Sequence, residues 1–318
     1  MSSSSVPLSP GSVSLRLYPH ALEDPTAVLD ELQRQASLAV ASGFEGVMLS
    51  ERHGGAWGQI PNPLQAAGWL LGAMTTGWVA PCPILLPLRR TAVLAEEIAW
   101  LDARYPGRVG AGFGSGGNES DFRLVGVPFE ERNARFDRAL REIVAILRDG
   151  RHPETRATDP AIVRVARSGL PLLSAAMSAR AARRAAEIRI GIIGSSLLSE
   201  TRTRELADLY TGHGGVGPHV LIARVWLGSP PWDLVERQLE EYRRASADNL
   251  TTPAGGELLH GDDPSGIAEQ LAHRMRSTRA DALNIRVHVR GVEPAAAREQ
   301  IAAVGAEIVP RVRAASAP

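Results

Sequence analysis

Lysine is missing from all 318 residues, so each of the 35 basic side chains is an arginine. Schiff-base chemistry on a lysine amine is therefore excluded, and with it lysine-dependent aldolases and pyridoxal phosphate enzymes. A single cysteine, Cys82, leaves no partner for an internal disulfide. No charged segment followed by an apolar run opens the chain, and the expectation is a cytoplasmic protein. Apolar stretches are broken by Gly, Pro and Thr well short of the ~20 residues that a membrane span needs. Charge of one sign is not in excess either: 35 acidic residues balance the 35 arginines, so no global field draws the chain to nucleic acid or to a membrane.

Several chemical signatures are absent too. The eight histidines form no HxH or HExxH set, which leaves metal-dependent hydrolysis with little support. The glycines after Val109 fit neither a P-loop nor GxGxxG, and Gly114-Ser115-Gly116 is only a fragment of the GxSxG elbow of a serine hydrolase.

What is present is a repeated strand–helix sentence. Val13, Leu15 and Leu17 alternate with polar residues as in a strand, and Asp24-Pro25 then opens a helix with Leu29, Leu32, Ala36 and Val40 on one face, stopped at Gly43. Phe44 to Leu49, Trp78 to Leu86, Val109 to Phe113, Leu170 to Ala175, Ile188 to Ile193, His219 to Trp226 and Leu283 to Val289 read as the second to eighth strands. Helices fall between them, among them one from Asn62-Pro63 ended by Gly77 and one from Asp263-Pro264. Apolar strands alternating with helices indicate a parallel sheet, and eight units favour a closed (β/α)8 barrel, a TIM barrel, over a doubly wound sheet. Residues 1–12, rich in Ser, Pro and Gly, read as a disordered arm, and 13–318 as a single barrel with an irregular excursion at about 151–169.

In such a barrel the reacting groups belong on the loops just after the strands. The second strand is followed by Ser50-Glu51-Arg52-His53-Gly54-Gly55, where His53 is a candidate proton donor and the alternative is an ordinary charged loop. Two prolines in Pro81-Cys82-Pro83 remove ladder donors from the third strand, so a bulge is expected there, with the Cys82–Pro83 bond cis or trans. After the fourth strand, Gly110, Gly112, Gly114, Gly116 and Gly117 with Ser115 and Asn118 would let backbone come close to a ligand. After the fifth, Ala175-Ala176-Met177-Ser178 leads into a helix with Arg180, Arg183 and Arg184, which suits a phosphate or serves simply as a tight turn.

The ordered segments Ser50-Glu51-Arg52-His53, Pro61-Asn62-Pro63, Ile84-Leu85-Leu86-Pro87, Ala95-Glu96, Gly107-Arg108-Val109-Gly110 and Asn118-Glu119-Ser120-Asp121-Phe122-Arg123 together resemble the bacterial luciferase-like flavin oxidoreductases, and the strand pattern extends the resemblance over Val13 to Arg313. It implies a barrel that binds reduced FMN (FMNH2) or a deazaflavin, coenzyme F-420. The phosphate would lie near Ala176, Met177, Ser178 and Arg180, with Arg132 as a further phosphate candidate. Gly114 and Ser115 would border the flavin, and Cys82-Pro83 would be a cis peptide beneath it. Where the family often has acidic-His-His or acidic-His-aromatic, this chain has Glu51-Arg52-His53, so Arg52 stands at the usual histidine position. A guanidinium cannot shuttle protons near neutral pH, although it can hold an anion.

The resemblance implies a flavin-dependent monooxygenase that takes FMNH2 from a separate reductase and uses O2 to oxygenate a small organic substrate, with Glu51, Arg52 and His53 as catalytic candidates and a homodimer as the expected assembly. An oxygen-independent deazaflavin oxidoreductase is the second reading. A noncatalytic flavin-binding partner subunit is the third.

Overall fold

Prolines placed just inside a capping side chain open several helices as the sequence suggests. Asp24 accepts from Thr26 N (2.9 Å), Asn62 from Gln65 N (3.1 Å), and Asp263 from Ser265 N (2.9 Å) and Gly266 N (3.0 Å). The computed structural model describes residues 6–22, 24–54, 60–151, 159–245 and 258–316. Its elements run β1 (Val13–Arg16), α1 (Pro25–Ala41), β2 (Gly46–Leu49), α2 (Pro63–Ala73), β3 (Trp78–Pro81), β4 (Ile84–Leu85), α3 (Thr91–Arg104), β5 (Ala111–Gly114), α4 (Glu119–Leu124), α5 (Arg132–Asp149), α6 (Pro160–Ser168) and β6 (Leu172–Ala175). They continue with α7 (Ala179–Glu187), β7 (Gly191–Ile193), α8 (Glu200–Gly212), β8 (His219–Leu227), α9 (Trp232–Ala245), β9 (Leu258–Gly261), α10 (Pro264–Thr278), β10 (Ala282–Arg286), α11 (Pro294–Ala303) and α12 (Val309–Ser316).

The strands pair in the order β3-β2-β1-β10-β8-β7-β6-β5-β4, all parallel, with β9 added beside β8. The expected third strand is the pair β3 and β4, interrupted at the two prolines. β3 pairs with β2 and β4 with β5, and the Val79–Val109 bridge joins the two ends of the order, so the sheet closes as a TIM barrel. The short β9 was not foreseen.

Side-chain alternation sorts each strand between two cores. Val13, Leu15 and Leu17 pack outward with Leu32, Ala36 and Ile285 under the helices. Ser14 and Arg16 point the other way, into the barrel, where Asn284 binds both: Arg16 Nε donates to its Oδ1 (2.8 Å), and its Nδ2 donates to Ser14 Oγ (2.9 Å). Of the arm expected to be disordered, residues 1–5 lie outside the described residues, but residues 6–12 are ordered. Leu8 is 1% exposed and packs with Trp78, Met48, Ala80 and Leu173 in the N-terminal end of the barrel. Gly11 N donates to Asp281 O (2.7 Å), and burial of Leu8 offsets its left-handed backbone, φ 59°. Composition pointed to disorder, and one buried leucine overrides it.

Two further expectations shift. Within the excursion at about 151–169, residues 152–158 lie outside the described residues, and most of the remainder is the helix α6, capped by Asp159. α2 ends at Ala73 rather than at Gly77, because Arg108 collects the carbonyls of Met74, Thr76 and Gly77 at 2.6–3.0 Å and so satisfies the chain after the last turn.

Candidate functional site

The C-terminal ends of the strands surround a cavity of about 640 Å³. Its wall after β2 is organised by Glu51, whose side chain is fully buried. Glu51 Oε1 accepts from Arg89 Nη2 (2.8 Å), Arg89 Nε (3.1 Å) and His53 Nε2 (2.8 Å), and Oε2 accepts from Leu85 N (2.8 Å). One carboxylate thus ties β2 to the far half of the broken third strand. The backbone repeats the tie, since Glu51 N donates to Pro83 O (3.0 Å) and Cys82 N to Leu49 O (2.7 Å). Arg89 had no distinguishing sequence context and was not foreseen.

Arg52 and Glu51 both line the cavity, whereas His53 does not, because its ring is turned to Glu51. Arg52 Nε sits 3.5 Å from Oδ2 of Asp121, which is 1% exposed, and His53 N donates to Asp121 Oδ1 (3.3 Å). Burial lowers the Arg52 pKa from its ordinary value while the Asp121 charge opposes that shift. Asp121, at the start of α4, is the second residue of this wall that sequence reasoning left without a role.

The Cys82–Pro83 bond is cis, and Pro83 lines the cavity. Cys82 does not: its side chain is buried inside the barrel, and burial pushes the thiol up to about 11, against the nearby Arg16 charge. The glycine column of β5 explains the fit. A Cβ on Gly112 would stand 2.1 Å from Cys82 Sγ, and one on Gly114 2.9 Å from Pro83 Cβ. Gly110, Gly112 and Gly114 therefore make room for the third strand and the N-terminal plug rather than for a ligand. Gly114 and Ser115 nonetheless line the cavity, together with Gly116, Gly117 and Asn118.

After β6 the chain alternates once more. Ala175, Met177 and Ser178 line the cavity, while Ala176 faces the helices, its N bonded to Ile193 O (2.9 Å). Ser178 caps α7, its Oγ accepting from Ala181 N (3.3 Å). Asp137 of α5 pairs with both Arg180 and Arg184, and the Arg184 guanidinium lies 4.6 Å over the Phe136 ring. Arg184 Nε is buried without a hydrogen-bond partner among the described residues. Burial lowers the Arg184 pKa, with Asp137 opposing. Arg132 also borders this wall, its guanidinium 4.0 Å over the Phe129 ring. A helix N-terminus, two arginines and an unused buried donor fit a phosphate group. Among the residues of the same cavity not anticipated from sequence are Arg16, Tyr18 and Arg286, on the side of β1 and β10.

Comparison with known proteins bears on the family and the fold. The alkanal monooxygenase alpha chain of the Kryptophanaron alfredi symbiont is 26% identical over 206 residues, 63% of this chain and 57% of that one. The F420-dependent glucose-6-phosphate dehydrogenase of Microbacterium testaceum is 35% identical over 127 residues, 38% of this chain and 36% of that one. The chain spans a little more than half the length of two alkanal monooxygenase alpha chains that it matches. Among solved structures, a monooxygenase from Streptomyces bottropensis superposes with a TM-score of 0.77 at 16% identity, covering 94% of this chain and 99% of that one. The oxygenating constituent of 3,6-diketocamphane monooxygenase from Pseudomonas putida, in complex with FMN, gives 0.75 at 17% identity, covering 95% and 98%. At these identities the likeness concerns the fold. The family described as luciferase-like monooxygenase matches residues 12–307, and with that match over nearly its whole length the chain belongs to the luciferase-like monooxygenase family.

Proposed function

We propose that the chain is a flavin-dependent monooxygenase that uses reduced FMN, delivered by a separate reductase, and O2 to oxygenate a small organic substrate. The observation that carries the reading is the wall at α7. Ser178 and Arg180 stand at the N-terminus of α7 and Arg184 one turn further along it, all beside the cavity, with Arg184 Nε buried and without a hydrogen-bond partner among the described residues. These residues would hold the phosphate, with Arg132 beside them, while Pro83, Gly114 and Ser115 would border the ring system. A reduced flavin bound there would supply the redox chemistry and the reaction with oxygen.

The chain's own residues supply position and exclusion of water. The cavity volume, about 640 Å³, lies within the range usual for cofactor and substrate sites. Glu51 is already committed to four hydrogen bonds, which makes it a support for the third strand rather than a free base. Arg52, held near Asp121, faces the cavity with a fixed positive charge, suited to steadying negative charge and not to moving protons. His53, its Nε2 bonded to Glu51, is set back from the cavity lining.

A second reading, an oxidoreductase dependent on coenzyme F-420, draws support from the 35% identity to an F420-dependent dehydrogenase. Side-by-side anaerobic titration with reduced FMN and with the deazaflavin separates the two. Binding of reduced FMN followed by oxygen-dependent product formation across a panel of aldehydes, ketones and aromatic compounds is the expected result. Tight deazaflavin binding without FMN affinity overturns it, and flavin binding without any turnover points to a noncatalytic subunit.

A further inference from the structure

The inside of the barrel mouth carries a row of arginines on three adjacent strands. Arg286 of β10 stands in register with Arg224 of β8, and Arg16 of β1 lies one residue beyond the Leu15–Ile285 pair. All three are buried, at 4% exposure for Arg16, 2% for Arg224 and 4% for Arg286. Arg16 and Arg286 line the cavity.

The partners of those two are neutral. Arg16 donates to Asn284 Oδ1 (2.8 Å) and to Cys82 O (3.2 Å). Arg286 donates to the Tyr242 hydroxyl and to His288 O (3.3 Å), and lies 4.4 Å over the Tyr18 ring. Neither arginine has a carboxylate within ion-pair distance among the described residues. The two buried carboxylates that line the cavity are engaged elsewhere, Glu51 with Arg89 and Asp121 beside Arg52. A buried guanidinium without a counter-charge is unfavourable unless its environment supplies negative charge. The surroundings register that positive field: burial acts to raise the Tyr18 phenol, yet the charges of Arg286, Arg16 and Arg224 pull it below its ordinary value.

We propose that the cavity takes a substrate bearing a carboxylate or sulfonate, held by Arg16 and Arg286. This rests on the reading above that the cavity holds both flavin and substrate. Arg16 and Arg286 stand apart from the phosphate wall after β6, because β8 and β7 lie between β10 and β6 around the ring. The same guanidinium chemistry could be met by an anionic flavin ring, and the test distinguishes the two sources.

Octanoate and octanesulfonate are compared with the neutral octanamide by calorimetric titration, in the chain alone and in the chain saturated with FMN. The expected result is that the anions bind at least about tenfold more tightly than the amide in both forms. Arg286→Met and Arg16→Met are expected to reduce that preference toward unity, and FMN titration of each variant reports whether it is folded. Equal affinity for anion and amide in the unmodified chain overturns the proposal, as does a preference that survives in both variants. A preference present in the chain alone but abolished by FMN assigns the arginines to the flavin and also overturns it. If FMN does not bind at all, the flavin reading falls, while the comparison in the chain alone still decides this one.

Discussion

Arg89 grips a single oxygen of Glu51 through both Nε and Nη2, at 3.1 and 2.8 Å, and so joins two segments separated by the broken third strand. Glu51 is the hub of that joint, because its other oxygen holds Leu85 N. Glu51→Gln leaves Arg89 without its counter-charge and turns a donor toward donors. Loss of about 3 kcal/mol in urea unfolding is expected. A variant as stable as the parent would show that the joint carries no weight.

Arg184→Met tests the phosphate wall. The side chain keeps its apolar contact with Phe136 but loses the buried Nε. FMN affinity is expected to fall by about one to two orders of magnitude, the size of a charge-assisted hydrogen bond. Riboflavin, which has no phosphate, should bind parent and variant alike. Fluorescence titration with both ligands gives the answer, and an equal loss for riboflavin would move Arg184 away from any phosphate.

Gly112→Ala should destabilise the barrel by about 1–3 kcal/mol, since the added methyl would meet Cys82 Sγ at 2.1 Å inside a packed interior. Gly110→Ala makes contacts no closer than 3.2 Å and should cost less. Thermal melts of the two variants compare them directly, and the reverse order would refute the account of the glycine column.

Acid should weaken the fold through histidines that are held neutral. Burial, with help from Arg286, His20 and Arg290, keeps His288 well below its ordinary value of 6.5, and burial likewise lowers His20 and His219. Below about pH 6.5 the unfolded chain takes up protons at these positions that the folded chain refuses. Stability is therefore full above that pH and declines as the pH falls through and below it. Urea midpoints at pH 7.5 and 5.5 should differ less in His288→Gln than in the parent, and an unchanged difference would remove His288 from the cause.

Much of the barrel was legible because its signals are local. Capping pairs such as Asn62-Pro63 and Asp263-Pro264 fix helix starts, and Pro81 with Pro83 marks the interrupted strand. The site was legible in part for the same reason, since Met177 and Ser178 follow directly from a strand-to-helix turn. Arg16 and Arg286 escaped because both faces of a parallel barrel strand are covered, so sequence alternation does not say which parity looks inward. Arg89 and Asp121 escaped because their partner, the loop after β2, is distant in sequence and adjacent only once the ring has closed. Leu8 escaped because a single apolar residue among Ser and Pro leaves no periodic trace.

That leucine also bears on traffic. With Leu8 and Trp78 packed in the floor of the barrel, the arginine row opens at the mouth, in the same cavity as the residues that would hold the cofactor. Cofactor and substrate then share one doorway, and a bulky ligand lodged in it should slow the entry of both.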